Sequence, residues 1–227
     1  MSRFSSIYPA DYICPVFRHG SKPYFLGTGF FLDKPASFLT CAHVVSGNEE
    51  NLAVVHPPTG KAYKANVIKI DNEIDLAQLQ VDRYQPPVSV HLSSEPSNTL
   101  DFVHCYDYST VRGFRAGKIR LNPATRIGNV TRLLNRDEGD ARFDQALELS
   151  FPILQGASGA PILGPRGDYL SLLGVAFGNL EYEARPVSIH EVLDERNKIY
   201  ERKQYMLPLG LAINGSHVAR FVDTNSA

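Results

Sequence analysis

The chain has 227 residues, 43% hydrophobic and 21% charged, with 23 lysines and arginines against 24 aspartates and glutamates. A formal net charge of −1 provides no whole-protein field to gather nucleic acid or an anionic membrane, so a field-driven binder of either is excluded. Seventeen glycines and 15 prolines stand slightly above the usual share and far below a disordered or collagen-like composition. A chain of this length buries roughly 70% of the surface that its unfolded form exposes, so it needs no staples.

The elements begin as short strands. Apolar or alternating runs fall at Ile13–Phe17, Tyr24–Leu32, Phe38–Thr40, Leu52–Val55, Ala65–Ile70, Leu76–Val81 and Ser89–Leu92. Turn-forming clusters separate them at a spacing of roughly 10 residues, the rhythm of a sandwich or barrel rather than of βαβ units. The polar, proline-bearing stretch Ser93–Asn98 predicts a linker between two halves. A second set of strands is predicted at Phe102–Tyr106, Ala116–Leu121, Val130–Leu134, Ala146–Phe151, Ala160–Leu163, Leu170–Phe177 and Leu209–Ile213.

One segment breaks this rhythm. From Ser188 to Met206, Ile189, Val192, Leu193, Ile199, Tyr200 and Met206 recur at helical spacing. Ser188 and Glu191 form an S-x-x-E capping box, acids come early and Arg202 and Lys203 late, and Pro208 supplies a stop. An amphipathic helix inserted between two strands is predicted, packed over the barrel surface. A second short helix is predicted after Ser216.

Three cysteines, Cys14, Cys41 and Cys105, cannot all pair within one molecule, and none forms a C-x-x-C. Free buried thiols in a reducing compartment are expected. The opening MSRFSSIYPADYI has no apolar core of a signal peptide, and no stretch approaches the length of a spanning helix. The expectation is a cytoplasmic protein without a membrane partner.

Three segments carry the chemistry. Residues 27–45 read GTGFFLDKPASFLTCAHVV, residues 71–81 read DNEIDLAQLQV and residues 155–161 read QGASGAP. Their polar centres occur in the order His43, Asp75, Ser158. A nucleophilic serine needs a base to take its proton and a third group to hold that base in the right tautomer. Its loop needs small residues, here Gly156, Ala157 and Gly159, so that backbone N–H groups can turn towards a developing oxyanion.

Rival readings fit less well. The G-x-S-x-G of an α/β-hydrolase fails because Ala160 stands at the final glycine; Asp168 or Asp194 with His217 would complete its order, but the strand–helix alternation is missing. His190-Glu191 lacks the second histidine of H-E-x-x-H, and His19, His56, His91, His104 and His217 are scattered. No metal or cofactor is implied. Arg112, Arg115, Lys118 and Arg120 read as a solvated face without an aromatic platform for nucleic acid.

The ordered histidine, aspartate and serine blocks resemble those of trypsin-like (chymotrypsin-fold) serine peptidases, especially short bacterial members. The segment LPLGLAING, Leu207 to Gly215, is similar to their last barrel strand leading into a terminal helix. The resemblance runs from about Cys14 to Phe221. It implies an all-β fold of two six-stranded antiparallel barrels forming one peptidase domain over residues 1–227, the first barrel at about 10–95 and the second at about 99–221.

It further implies that His43 is the general base, Asp75 its orienting partner and Ser158 the nucleophile, with the N–H groups of Gly156 and Ser158 as the oxyanion hole. Gly174, Val175, Ala176, Phe177 and Gly178, followed by Asn179, would lie beside a protein or peptide substrate and pair with it as an added strand. Ser158 would attack a peptide carbonyl, and water would release the acyl group.

The departures are informative. The family's serine block commonly reads G-[ND]-S-G-G, whereas Ala157 and Ala160 stand here. Activation by a freed N-terminus pairing with an acid at position 157 is therefore not expected. Pro152, six residues before the serine, would sit at the floor of the primary pocket beside Phe151, Ile153 and Leu154. No acid is present to attract lysine or arginine, so an apolar or small residue is expected before the scissile bond. Cys41 reads as a small buried hydrophobe, with a redox sensor as the sharper alternative. The alternative to an active peptidase is a binding module, catalytically inactive or activated by a protein partner; the complete set of three residues favours the enzyme.

Overall fold

The computed structural model describes residues 8–20, 23–33, 37–93, 95–109, 114–115, 118–119, 121–134, 146–167, 169–194 and 197–223. Six strands, β1 (Ile13–Arg18), β2 (Tyr24–Phe31), β3 (Ser37–Cys41), β4 (Leu52–His56), β5 (Lys61–Asp71) and β6 (Leu76–Val81), close into an antiparallel barrel in the order β1-β2-β3-β6-β5-β4. Bulges at Val16/Phe17 and Val67/Lys69 add the local bend that closure needs. Closure leaves no free edge for another chain to pair with. The short runs that marked these strands in sequence become its filling: Ile13, Val16, Phe30, Phe38, Leu39, Leu52, Val54, Leu76 and Leu79 are all buried. The Phe31 ring stands edge-on to Phe38 at 4.9 Å between centroids, a favoured aromatic geometry.

The second half holds β7 (His91–Leu92), β8 (Phe102–Asp107), a small pair formed by β9 (Phe114–Arg115) and β10 (Lys118–Ile119), β11 (Ala124–Leu134), β12 (Ala146–Leu149), β13 (Pro161–Arg166), β14 (Tyr169–Asp194) and β15 (Asn197–Asn214). The order β13-β8-β11-β12-β15-β14 is closed by pairing of β13 with β14, giving a second six-stranded antiparallel barrel, to which β7 adds in parallel. Its core is built from Val103, Cys105, Leu147, Leu149, Ile162, Leu173 and several alanines. Two acids are buried in its wall, each with a cation: Asp107 pairs with Arg126, and Glu148 with Arg132.

Among the described residues, several contacts fasten the barrels together. Tyr108 is fully buried, and its hydroxyl donates to the Ile13 carbonyl at 3.0 Å. The stretch expected to be a linker is pinned, with Ser97 buried and its hydroxyl donating to the Leu173 carbonyl at 3.2 Å. The predicted terminal helix is α2 (Gly215–Asp223), which buries Val218, Phe221 and Val222 against the first barrel. Lys69 Nζ donates to the Phe221 carbonyl at 2.7 Å. No helix among the described residues is long and apolar enough to cross a membrane. Of the strand expected at Ala116–Leu121, Lys118–Ile119 is present as β10, while Ala116, Gly117 and Arg120 lie outside the described residues, as does Arg112.

The helix predicted over 188–206 is not formed. The chain runs instead as the outer part of the β14–β15 hairpin, with Ser188 paired to Lys203, Val192 to Ile199 and Asp194 to Asn197. The error has a geometric cause. Val192 and Ile199 are seven residues apart, which on a helix is two turns and one face. Across a tight reversal, the same two positions are register partners. Ile189, Val192, Ile199 and Tyr200 are β-branched or aromatic residues, which lose rotamer freedom on a helix and favour a pleated strand.

Candidate active site

The first barrel supplies two of the three side chains. β3 ends at Cys41, and Ala42–Val45 form a one-turn helix, α1, which lifts His43 out of the sheet. Asp75 closes the turn before β6. Its φ is +57°, a left-handed conformation that aspartate adopts more readily than most residues. Asp71 shapes that turn, accepting the N–H groups of Glu73 and Ile74 at 3.0 and 3.2 Å.

Asp75 then holds the histidine from several directions. Its Oδ2 lies 2.6 Å from His43 Nδ1, its Oδ1 accepts the His43 N–H at 2.9 Å, and its own carbonyl accepts the Ala42 N–H at 3.0 Å. A carboxylate only accepts, so Nδ1 carries the proton and Nε2 is left as an acceptor. The Asp75 side chain is 10% exposed and that of His43 48%. The Asp75 carboxylate is therefore shielded while the imidazole faces solvent.

The second barrel supplies the serine. Leu154–Ala157 form a type II turn, with the Ala157 N–H donating to the Leu154 carbonyl at 2.9 Å and Gly156 at φ +93°. A type II turn requires positive φ at its third residue, which glycine adopts freely. Gly159, at φ +86°, is needed for a second reason: a side chain there would strike the Thr28 carbonyl and the Thr40 hydroxyl. Small residues thus bring the serine loop against β2 at backbone contact. Thr28, fully buried, binds the loop twice: its hydroxyl donates to the Gly156 carbonyl at 2.8 Å, and its N–H to the Ser158 carbonyl at 3.0 Å. That hydroxyl also accepts the Tyr108 N–H at 3.2 Å. The Thr28 carbonyl in turn accepts from the Thr40 hydroxyl at 2.7 Å.

Ser158 is half-buried, and its hydroxyl donates to the Phe177 carbonyl at 3.4 Å. His43, Ser46, Asn72, Asp75 and Phe177 line a cleft of about 380 Å³. The expected substrate strand is narrower than its sequence segment. Gly174 and Val175 are paired on both sides, to β13 and to β15, and Ala176 exchanges bonds with Gly159 and Ala160. Those three residues lie inside the closed barrel and have no backbone to offer, which corrects the expectation for them. Pairing with β13 stops before Phe177, the residue whose carbonyl meets Ser158. Pro152 is half-buried, between the core residues Phe151 and Ile153.

Cys41 Sγ, His43 Nδ1 and the Asp75 carboxylate form a compact group of metal-ligating types, within 4.8 Å of one another. The set suits a metal poorly. Cys41 is fully buried and its thiol is spent on the Ala176 carbonyl at 3.3 Å. Burial, followed by the nearby Asp75 charge, pushes that thiol well above its ordinary pKa. It stays protonated, so the reading of Cys41 as a buried hydrophobe stands and a redox sensor there is disfavoured. Of the scattered histidines, His56 lies against Thr59 and Asp11, and His91 faces Asp33.

The contribution of Thr28 escapes sequence reading because its partner Gly156 is 128 residues away. The available signal was its place between two glycines in GTGF. Asp71 could be found from the D-x-x-x-D spacing with Asp75.

Paired six-stranded barrels, with a histidine–aspartate pair on one and a glycine-bracketed serine on the other, define the architecture of a trypsin-like peptidase. Residues 27–174 match the trypsin-like peptidase domain family, and the chain belongs to it. The serine protease Rv3671c of Mycobacterium tuberculosis H37Rv is 31% identical over 157 residues, which are 67% of this chain and 36% of that protein. The match therefore spans about a third of that curated relative's length. Among solved structures, the active form of the Rv3671c protease superposes with a TM-score of 0.62 at 20% identity, covering 96% of this chain and 82% of the other. The HtrA-type protease AlgW with a tripeptide gives 0.65 at 16% identity, covering 95% and 60%. The serine endoprotease of Yersinia pestis gives 0.62 at 18%, covering 95% and 63%. At these identities the structural likeness concerns the fold.

Proposed function

We propose that this protein is a serine endopeptidase acting on extended segments of polypeptide. The observation that carries the reading is the His43–Asp75 pair, joined by two hydrogen bonds and leaving Nε2 to accept, in a cleft that reaches Phe177, the residue whose carbonyl binds the Ser158 hydroxyl. Substrate would add alongside the exit of β14, at Gly178–Asn179, as a strand. Ser158 Oγ attacks the scissile carbonyl carbon as its proton passes to His43 Nε2, and the resulting imidazolium is stabilised by Asp75. The N–H groups of Gly156 and Ser158 stabilise the oxyanion. His43 then gives the proton to the departing amine, and a water deprotonated by His43 releases the acyl group from Ser158. Free, buried Cys14, Cys41 and Cys105 support a reducing, cytoplasmic setting.

A fluorophosphonate probe is expected to label the purified protein at Ser158, as read by peptide mass mapping, and Ser158→Ala to abolish labelling. Absence of labelling in wild-type protein whose circular dichroism is intact would overturn the reading in favour of a non-catalytic module.

A further inference from the structure

Two stretches of chain diverge from Ser158. One is the approach to it, Ile153–Ala157; the other is the exit of β14, Phe177–Asn179, whose first carbonyl holds the Ser158 hydroxyl. Both border Ser158, one along the chain and the other through that hydrogen bond. Asn179 fastens them together: its Oδ1 accepts the Ile153 N–H at 2.7 Å, and its Nδ2 donates to the Ile153 carbonyl at 2.7 Å.

This cross-link sets a width. An asparagine side chain plus one hydrogen bond spans only about 6 Å from backbone to backbone. A group lodged between two walls needs van der Waals contact of about 3.5–4 Å on each side, hence about 7–8 Å. Nothing passes at the level of the bridge. Swinging Asn179 aside is also unfavourable, because Ile153 is buried and both of its main-chain groups would lose their partner. The space behind is already filled: Phe151 and Ile153 belong to the barrel core, and the Phe151 carbonyl takes the Gly210 N–H at 2.9 Å. Pro152, expected from sequence at the pocket floor, lies one residue beyond the bridge along the chain.

We propose that the Asn179–Ile153 bridge truncates the primary substrate pocket, so that the enzyme cleaves after small residues such as alanine, serine or glycine, with Asn179 as the residue that determines this specificity. The inference rests on the serine endopeptidase reading. Steric exclusion of this kind acts on the ratio between substrates, where a single methylene already discriminates by about tenfold or more.

The test is a fluorogenic peptide series that differs only in the residue before the scissile bond: alanine, valine, leucine, phenylalanine or lysine. Wild-type kcat/KM is expected to be at least about tenfold higher for alanine than for leucine, phenylalanine or lysine. Asn179→Gly is expected to shrink that ratio by about tenfold, chiefly by raising the rate on the larger residues. Asn179→Asp keeps the size but loses the donor to the Ile153 carbonyl, and its ratio should fall between the two; it carries the test if the glycine variant does not fold. Wild-type cleavage after phenylalanine or lysine as fast as after alanine would overturn the proposal, as would an unchanged ratio in the folded variants. Failure of Ser158 to label in wild type would instead overturn the peptidase reading.

Discussion

The two barrels share a topology and differ in what fills them. The first is packed with large side chains, including Phe30, Phe31 and Phe38, and presents an acid and a histidine already locked together. The second is packed around Ala157, Ala160, Ala176 and Ala212 and carries buried charges in its wall. The difference follows from the task of each surface. Orienting a histidine takes one shielded carboxylate in a rigid turn. Presenting a serine with its neighbouring N–H groups takes a loop so close to other backbone that side chains must be small. The histidine is thus held by side-chain hydrogen bonds and the serine by backbone approach, and the two halves should fail in different ways.

The largest expected effect tests the first half. Asp75→Asn should lower kcat by about 10⁴-fold, because the amide favours the wrong imidazole tautomer while the fold is kept. Fluorophosphonate labelling and peptide turnover both read this, and near-normal turnover would mean that Asp75 does not orient the base. Asp71 is the sequence neighbour that could be mistaken for it. Its Oδ1 accepts the N–H groups of Glu73 and Ile74, so its part is to shape the turn.

A smaller effect is expected at the junction. Thr28→Val keeps the shape of a buried residue but removes the hydroxyl that donates to the Gly156 carbonyl and accepts from Tyr108. The turn bearing the proposed oxyanion donors loses one of its two anchors to β2, the N–H bond to the Ser158 carbonyl being kept. We expect kcat to fall roughly 10–100-fold with KM little changed, since a small misplacement of a preorganised donor weakens transition-state binding above all. Thr28→Ser should restore most of the rate. Equal losses in both variants would show that packing, not the hydrogen bond, is what Thr28 contributes.

The same contrast explains what sequence could reveal. Strands of the first barrel are short apolar runs between turn residues, and each element announces itself locally. The segments around His43, Asp75 and Ser158 stand out in the sequence because each sets a polar centre among small or apolar neighbours. Thr28 and Asn179 act on partners 128 and 26 residues away, and no local pattern encodes such a contact. The outer β14–β15 hairpin was misread because a seven-residue spacing satisfies both a helix face and a hairpin register. Gly174 and Val175 are expected beside the substrate only through the resemblance of their segment; that both their edges are occupied emerges from barrel closure.

The smallest effect asks whether the halves unfold together. Cys14 lies in the first barrel and Cys105 in the second; burial raises both thiols, Cys105 to about 12 against an ordinary 9.0. A raised thiol binds its proton more tightly when folded than unfolded. The stabilisation is therefore fully present below pH 9 and is lost as pH climbs towards the folded value. For Cys105 the loss by pH 10 is about 1.4 kcal/mol relative to neutral pH, one unit above the unfolded pKa. Urea denaturation at neutral pH and at about pH 10 should show wild-type stability falling, and Cys105→Ala falling less by about that amount. If the barrels form one cooperative unit, as their shared anchors Tyr108, Ser97 and α2 imply, Cys14→Ala should flatten the same single transition. Two transitions, each responding to its own cysteine, would mean that the junction carrying the active site is weaker than either barrel. An alkaline decline unaltered in Cys105→Ala would mean that this thiol is not the titrating group.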